Sequence, residues 1–222
     1  EIQHTLTLPQ ILNKHKKLFQ DTMGIVRDYV HEIKLKPDAI PVIHKVRNVP
    51  MSVREQLKQH LDKLQKERVI EPIDSSLWIS PIVVALKKSN EIRLCIDLRS
   101  VNKNILVDCF PLPRIQEMLA QLGGASVFSS LDLKAAYHQI ELTPESRHIT
   151  AFNTPFGAYQ YLRLPFALAS AASVFQKLMF QILGKFKGVI AYQDDILVFT
   201  LRCSLTFGFV ESSPEYTRKL WL

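Results

Sequence analysis

The sequence predicts an α+β fold, with helices and strands in separate stretches of the chain. Apolar residues recur at helical spacing in two segments: Val53, Leu57, Leu61 and Leu64, then Phe175, Leu178, Met179 and Ile182. Strand-like alternation marks 81–86, 91–98, 127–133 and 152–163 instead. Two short apolar runs, 189–192 and 196–199, are split by residues that form a tight turn. With 222 residues, 47% of them hydrophobic, the chain buries a real core and is too apolar for a disordered polymer.

Residues 1–50 read as an extended lead-in. A short helix is predicted over 11–19, with Lys14, Lys16 and Lys17 outward, and a strand over 29–35. Pro37, Pro41 and Pro50 then interrupt regular structure. A helix follows over 53–68, capped by Ser52, with Glu55 completing a capping box. Lys58, Lys63 and Lys66 lie opposite its apolar stripe.

The strands over 81–86 and 91–98 form a hairpin through Lys87-Lys88-Ser89-Asn90. In the second strand Ile92, Leu94, Ile96 and Leu98 face one way; Arg93, Cys95 and Asp97 face the other. A basic hairpin can fold over a triphosphate, arginine making forked contacts and lysine acting as a point charge. Taken alone, these residues also read as ordinary surface charges.

Pro111 and Pro113 precede a helix over 114–122, then Gly123-Gly124 and the strand that carries Asp132. A tighter segment follows over 134–138, and Pro155 with Gly157 mark a turn inside 152–163. The last helix is predicted over 171–183, with Gly184 as its C-cap.

The final hairpin carries Asp194 and Asp195 between its apolar runs. A tip selected only for folding favours Asn-Gly or Asp-Gly, and adjacent like charges repel. A divalent cation explains the pair, because hard cations take oxygen ligands. If the strand of Asp132 neighbours the hairpin, three carboxylates converge, the usual kit for in-line phosphoryl displacement around two metals. An acid pair in a turn by itself also reads as solvated surface.

Composition agrees without deciding. The net charge of +7 suits a polyanionic partner, and equally a merely basic protein. Residues 146–193 contain no Asp or Glu but carry Arg147, Arg163, Lys177, Lys185 and Lys187, which fits either a phosphate-tolerant surface or core. The three cysteines, Cys95, Cys109 and Cys203, are scattered and read as reduced thiols of an intracellular protein. Residues 1–5 lack the charged start and apolar run of a signal peptide, and no segment has the length of a membrane span.

Read together, the motifs resemble the reverse transcriptases of Gypsy-type LTR retrotransposons. Tyr192-Gln193-Asp194-Asp195 matches Tyr-x-Asp-Asp, and 128–137 matches the segment of the first catalytic Asp. Residues 92–102 resemble the fingers strand and its turn, and 164–171 the loop before a palm helix. The likeness runs from about Val30 to about Thr200 in one register. It implies a polymerase right hand: fingers and a partial palm, thumb absent. The boundaries are 1–50 linker, 51–107 fingers, 108–139 palm, 140–169 fingers, 170–200 palm and 201–222 an atypical tail.

The resemblance further implies that Asp132, Asp194 and Asp195 hold two Mg²⁺ ions, with Mn²⁺ as a substitute. Lys87 and Arg93 match positions that grip the β- and γ-phosphates of a deoxynucleoside triphosphate. Tyr137 matches the aromatic under the incoming sugar, and Phe166 belongs to the same nucleotide site. The implied partners are an RNA or DNA template-primer and deoxynucleoside triphosphates, with no membrane; oligomeric state and compartment within the cell are left open.

Two departures stand out before the tail. Ala167 replaces the usual Gly, unwelcome if that position needs a positive φ, and Ala172 replaces a Pro that opens the helix. After Thr200 the family's charged helix is missing, and the tail reads as a frameshift or a join to foreign sequence. The alternative function is therefore a catalytically inactive, truncated, retroelement-derived nucleic-acid-binding protein.

Overall fold

The computed structural model describes residues 7–86 and 91–200. The described residues open with α1 (Leu8–Lys14), whose Thr7 N–H donates to Gln10 Oε1 at 2.8 Å in a capping box. This cap starts the helix earlier than predicted. It breaks at His15, and a 3₁₀ turn covers Lys16–Phe19. The strand expected over 29–35 shrinks to β1 (Val30–His31).

Next is α2 (Met51–Lys66). Pro50, not Ser52, is its N-cap: the Pro50 carbonyl already accepts the Val53 N–H at 3.2 Å, so Ser52 lies inside the first turn and the predicted capping box does not form. The predicted stripe of Val53, Leu57, Leu61 and Leu64 is buried. Then come β2 (Ile70–Ile73), β3 (Ser80–Leu86), β4 (Ile92–Ile96), α3 (Arg99–Asn104), α4 (Ile115–Gln121), β5 (Val127–Asp132), β6 (Glu141–Leu142) and α5 (Pro144–Arg147). The chain continues through β7 (Phe152–Thr154), β8 (Gly157–Tyr161), α6 (Ala171–Leu183), β9 (Val189–Tyr192) and β10 (Asp195–Thr200).

Gly184 does not end α6 in the left-handed region; its N–H still donates to Phe180 O at 2.9 Å. After α6 it is Gly188, at φ 76° just ahead of β9, that takes the left-handed region. There a Cβ would sit 2.5 Å from Phe199 O, so the close approach of β10 demands glycine.

The described residues fall into two compact units. The first comprises 7–28, 109–136 and 172–200. Its sheet is antiparallel, in the order β5-β10-β9. Ile196 and Val198 of β10 are buried, as are Val174, Phe175, Leu178, Met179 and Ile182 of α6. Burying each large side chain contributes roughly 1.5–3 kcal/mol before chain entropy is charged against it. Ile11 and Val26 of the N-terminal segment are buried too, so that stretch is an integral part of the unit.

The second unit comprises 29–108 and 137–171. Its mixed sheet runs β2-β8-β7-β3-β4, with β3 and β7 parallel and the other pairs antiparallel. The predicted β3–β4 hairpin is present, with Ala85 opposite Arg93. A short parallel pair joins β1 and β6. Trp78 and Phe152 are its largest fully buried side chains.

Candidate active site

Strand pairing fixes the acids of the first unit. In the β5–β10 ladder Asp195 lies directly opposite Asp132, and in the β9–β10 ladder it lies opposite Tyr192. Directly opposed residues share a face, with Cβ atoms about 4.5–5.5 Å apart. Asp132 and Asp195 are both exposed, while Ile196, on the other face, is buried. Two residues far apart in sequence thus meet as an exposed pair of like charges. Such a pair destabilises a sheet unless something neutralises it.

Gln193 and Asp194 form a two-residue turn between β9 and β10. Gln193 sits at φ 53°, in the left-handed region that costs a non-glycine residue about 1–2 kcal/mol. Asp194 joins the site through its backbone: its carbonyl accepts the Leu133 N–H at 3.0 Å, extending the ladder one step past Asp132.

Among the described residues, no group of three or more His, Cys, Asp or Glu is gathered so as to hold a metal ion. The structure pairs Asp132 with Asp195 in register, and Asp194 precedes Asp195 in the turn. The pair still suits a hard divalent cation. Mg²⁺ in particular is held by one or two carboxylates, with water and substrate phosphates completing the shell.

Gln176 of α6 supports this turn, a role that helical periodicity did not mark. Its side chain is buried; Nε2 donates to Ala191 O at 2.8 Å, and Oε1 accepts the Gln193 N–H at 3.0 Å. One amide thus staples both sides of the turn and supports the left-handed residue. A polar residue set among Phe175, Leu178 and Met179 was the available signal.

The segment after Asp132 is also held. Leu133 is buried, the Lys134 ammonium bonds Asp21, and Ala135 adopts φ 48°. A left-handed alanine three residues after a catalytic candidate is strained backbone of the sort that clusters at active sites.

Of the predicted substrate residues, Arg93, Tyr137 and Phe166 lie in the second unit. Tyr137 is buried and Phe166 half exposed, their rings 4.8 Å apart and edge to face. His138 also meets Phe166 edge-on at 4.8 Å. Burial pushes the His138 imidazole down to about 4, and the Arg163 guanidinium adds to the effect. Phe166 therefore stands on a neutral aromatic base.

Asn102 fixes the turn beneath that ring, donating to Ala167 O at 3.0 Å and accepting the Ala169 N–H at 2.9 Å. Ala167 is not in the left-handed region, so the methyl group that replaces glycine carries no backbone strain. Arg93 is exposed on β4. Lys87 and the tail after Thr200 lie outside the described residues.

Arg163, counted in the basic stretch, is buried: Nε donates to Arg68 O at 3.0 Å and Nη1 to His138 O at 3.1 Å. It braces backbone and offers no surface charge to phosphate. No helix among the described residues is long and apolar enough to cross a membrane.

The family described as reverse transcriptase (RNA-dependent DNA polymerase) matches residues 85–204. The retrovirus-related Pol polyprotein from transposon 412 of Drosophila melanogaster is 41% identical over 181 residues, 77% of this chain and 14% of that protein. The corresponding polyprotein from transposon gypsy of the same fly is 36% identical over 171 residues, 73% of this chain and 16% of that protein. The chain therefore spans only 14% and 16% of the lengths of these two curated relatives.

Among solved structures, the foamy viral protease-reverse transcriptase in complex with RNA/DNA hybrid superposes with a TM-score of 0.87 at 23% identity. It covers 96% of this chain and 29% of that one. That likeness shows the fold, which is the mixed α and β fold of the polymerase fingers and palm.

Proposed function

The chain belongs to the reverse transcriptase family, in the branch of LTR-retrotransposon Pol polyproteins, and on that premise we propose that it carries the nucleotidyl-transfer site of an RNA-directed DNA polymerase. The observation that carries this reading is the register pairing of Asp132 with Asp195 at the end of a three-stranded sheet. Exposed like charges at that point serve a cation better than they serve the fold.

Asp132 and Asp195 would hold Mg²⁺ or Mn²⁺, with Asp194 as the remaining acid of the motif. In this reaction class, bound divalent cations make a hydroxyl more acidic and neutralise charge on phosphoryl oxygens. The protein's part is to hold the two carboxylates in register. The β5–β10 ladder sets their spacing, the Leu133–Asp194 hydrogen bond locks the strand end, and Gln176 keeps the turn from relaxing.

The remaining roles follow from matched motif positions. Arg93, with Lys87, would bind the triphosphate; Tyr137 would screen the sugar; Phe166, held by Asn102 and its aromatic base, would complete the nucleotide site. RNA or DNA template-primer is the second substrate. The foamy viral neighbours were solved with RNA/DNA hybrid and with double-stranded DNA, which supports nucleic acid as partner.

Primer extension on an RNA template tests the proposal. Wild type incorporates nucleotide and Asp194→Asn and Asp195→Asn do not; equal signals from all three would refute the assignment. Template binding that weakens steeply with salt, without incorporation by the wild type, would instead support the nucleic-acid-binding function.

A further inference from the structure

The N-terminal segment reaches the acid-bearing strand. Lys134, two residues past Asp132, is gripped by Asp21 at two points: its ammonium bonds the Asp21 carboxylate and donates to the Asp21 backbone carbonyl at 2.9 Å. Ile11 and Val26, buried on either side of Asp21 in sequence, anchor the segment that presents it. Asp132 and Lys134 are both exposed, and Lys134 lies in the turn that follows β5. Two residues of chain span at most about 7 Å, which the flexible four-carbon stem of lysine can bridge.

The Asp21 carboxylate is 98% exposed. An ion pair so open to water adds little stability, and its effect lies in where it places charge. We propose that Asp21 is a positioning residue: by holding the Lys134 ammonium, it prevents that cation from neutralising the Asp132–Asp195 pair, which keeps its affinity for a divalent ion. The proposal rests on the acid pair being the cation site of the function above. Released from Asp21, Lys134 competes with the divalent ion for the same oxygens. At about 4–7 Å in water-like surroundings, one unit charge opposes a doubly charged ion by roughly seven- to thirtyfold, of which an exposed ion pair can withhold about fivefold at most.

The test is Mn²⁺ binding to the full chain without nucleotide or nucleic acid, read from the electron paramagnetic resonance of the free ion. Asp21→Asn is expected to weaken binding about two- to fivefold. Lys134→Met removes the competing charge, so the double variant should bind as Lys134→Met alone does. An unchanged affinity in Asp21→Asn overturns the proposal and leaves the cation site standing. So does a loss that persists in the Lys134→Met background, because that loss would be structural. Wild-type binding that is absent, or insensitive to Asp195→Asn, overturns the site and the proposal with it.

Discussion

Gln176→Leu isolates what the turn staple contributes. The substitution keeps the bulk of the buried side chain and removes both of its hydrogen bonds, to Ala191 O and from the Gln193 N–H. A typical bond contributes about 0.5–1.5 kcal/mol net, and a buried group left unsatisfied costs about 1–3 kcal/mol. Both bonds are only part-buried, so the lower ends apply and the expected loss is about 2 kcal/mol. Relaxation of the left-handed Gln193, no longer opposed, returns part of its strain and trims that loss.

Urea unfolding gives the global figure and native-state hydrogen exchange the local one. The Gln193 amide should lose protection while the β5–β10 rungs keep theirs, and Mn²⁺ affinity should fall with the loosened turn. A stability change below about 0.5 kcal/mol, with Gln193 protection intact, would refute the role assigned to this side chain.

Three further outcomes are expected. Ala135→Gly relieves a left-handed alanine and should stabilise the chain by up to about 1 kcal/mol in denaturant unfolding. Asp195→Asn removes the opposed charge and should raise metal-free stability by about 0.2–1 kcal/mol, while abolishing any rise in melting temperature on adding Mg²⁺. His138, pushed down to about 4, takes up its proton more readily in the unfolded chain, so stability should hold above about pH 6.5 and fall as pH drops towards 4; unfolding free energies across that window should lose much of this slope in His138→Phe.

Elements with a strong period were legible in the sequence. The α2 stripe, the α6 stripe, the β3–β4 hairpin and the β9–β10 hairpin all form, because burial of one face decides each of them. Helix ends were less legible, since end groups have several solutions of similar energy: Pro50 closes the first turn of α2 before Ser52 can act, and Gly188 rather than Gly184 takes the left-handed position. The site was legible as residue types, and only in part as geometry. A pattern along the chain could suggest that Asp132 meets the hairpin, but the partner in register is set by hydrogen bonding across strands. Gln176 hid inside an apolar stripe, and the Asp21–Lys134 bond joins residues 113 positions apart.

The six rungs from Asp132–Asp195 to Val127–Thr200 count out where the chemistry can happen. Side chains alternate faces at each residue, so a one-residue deletion within β10 would do more than shift Asp195 along by a notch. It would turn that carboxylate to the opposite side of the sheet. Such a lesion could leave the sheet's overall shape nearly intact and still silence the site, so single-codon insertions and deletions in this hairpin should be far less tolerated than substitutions of similar bulk.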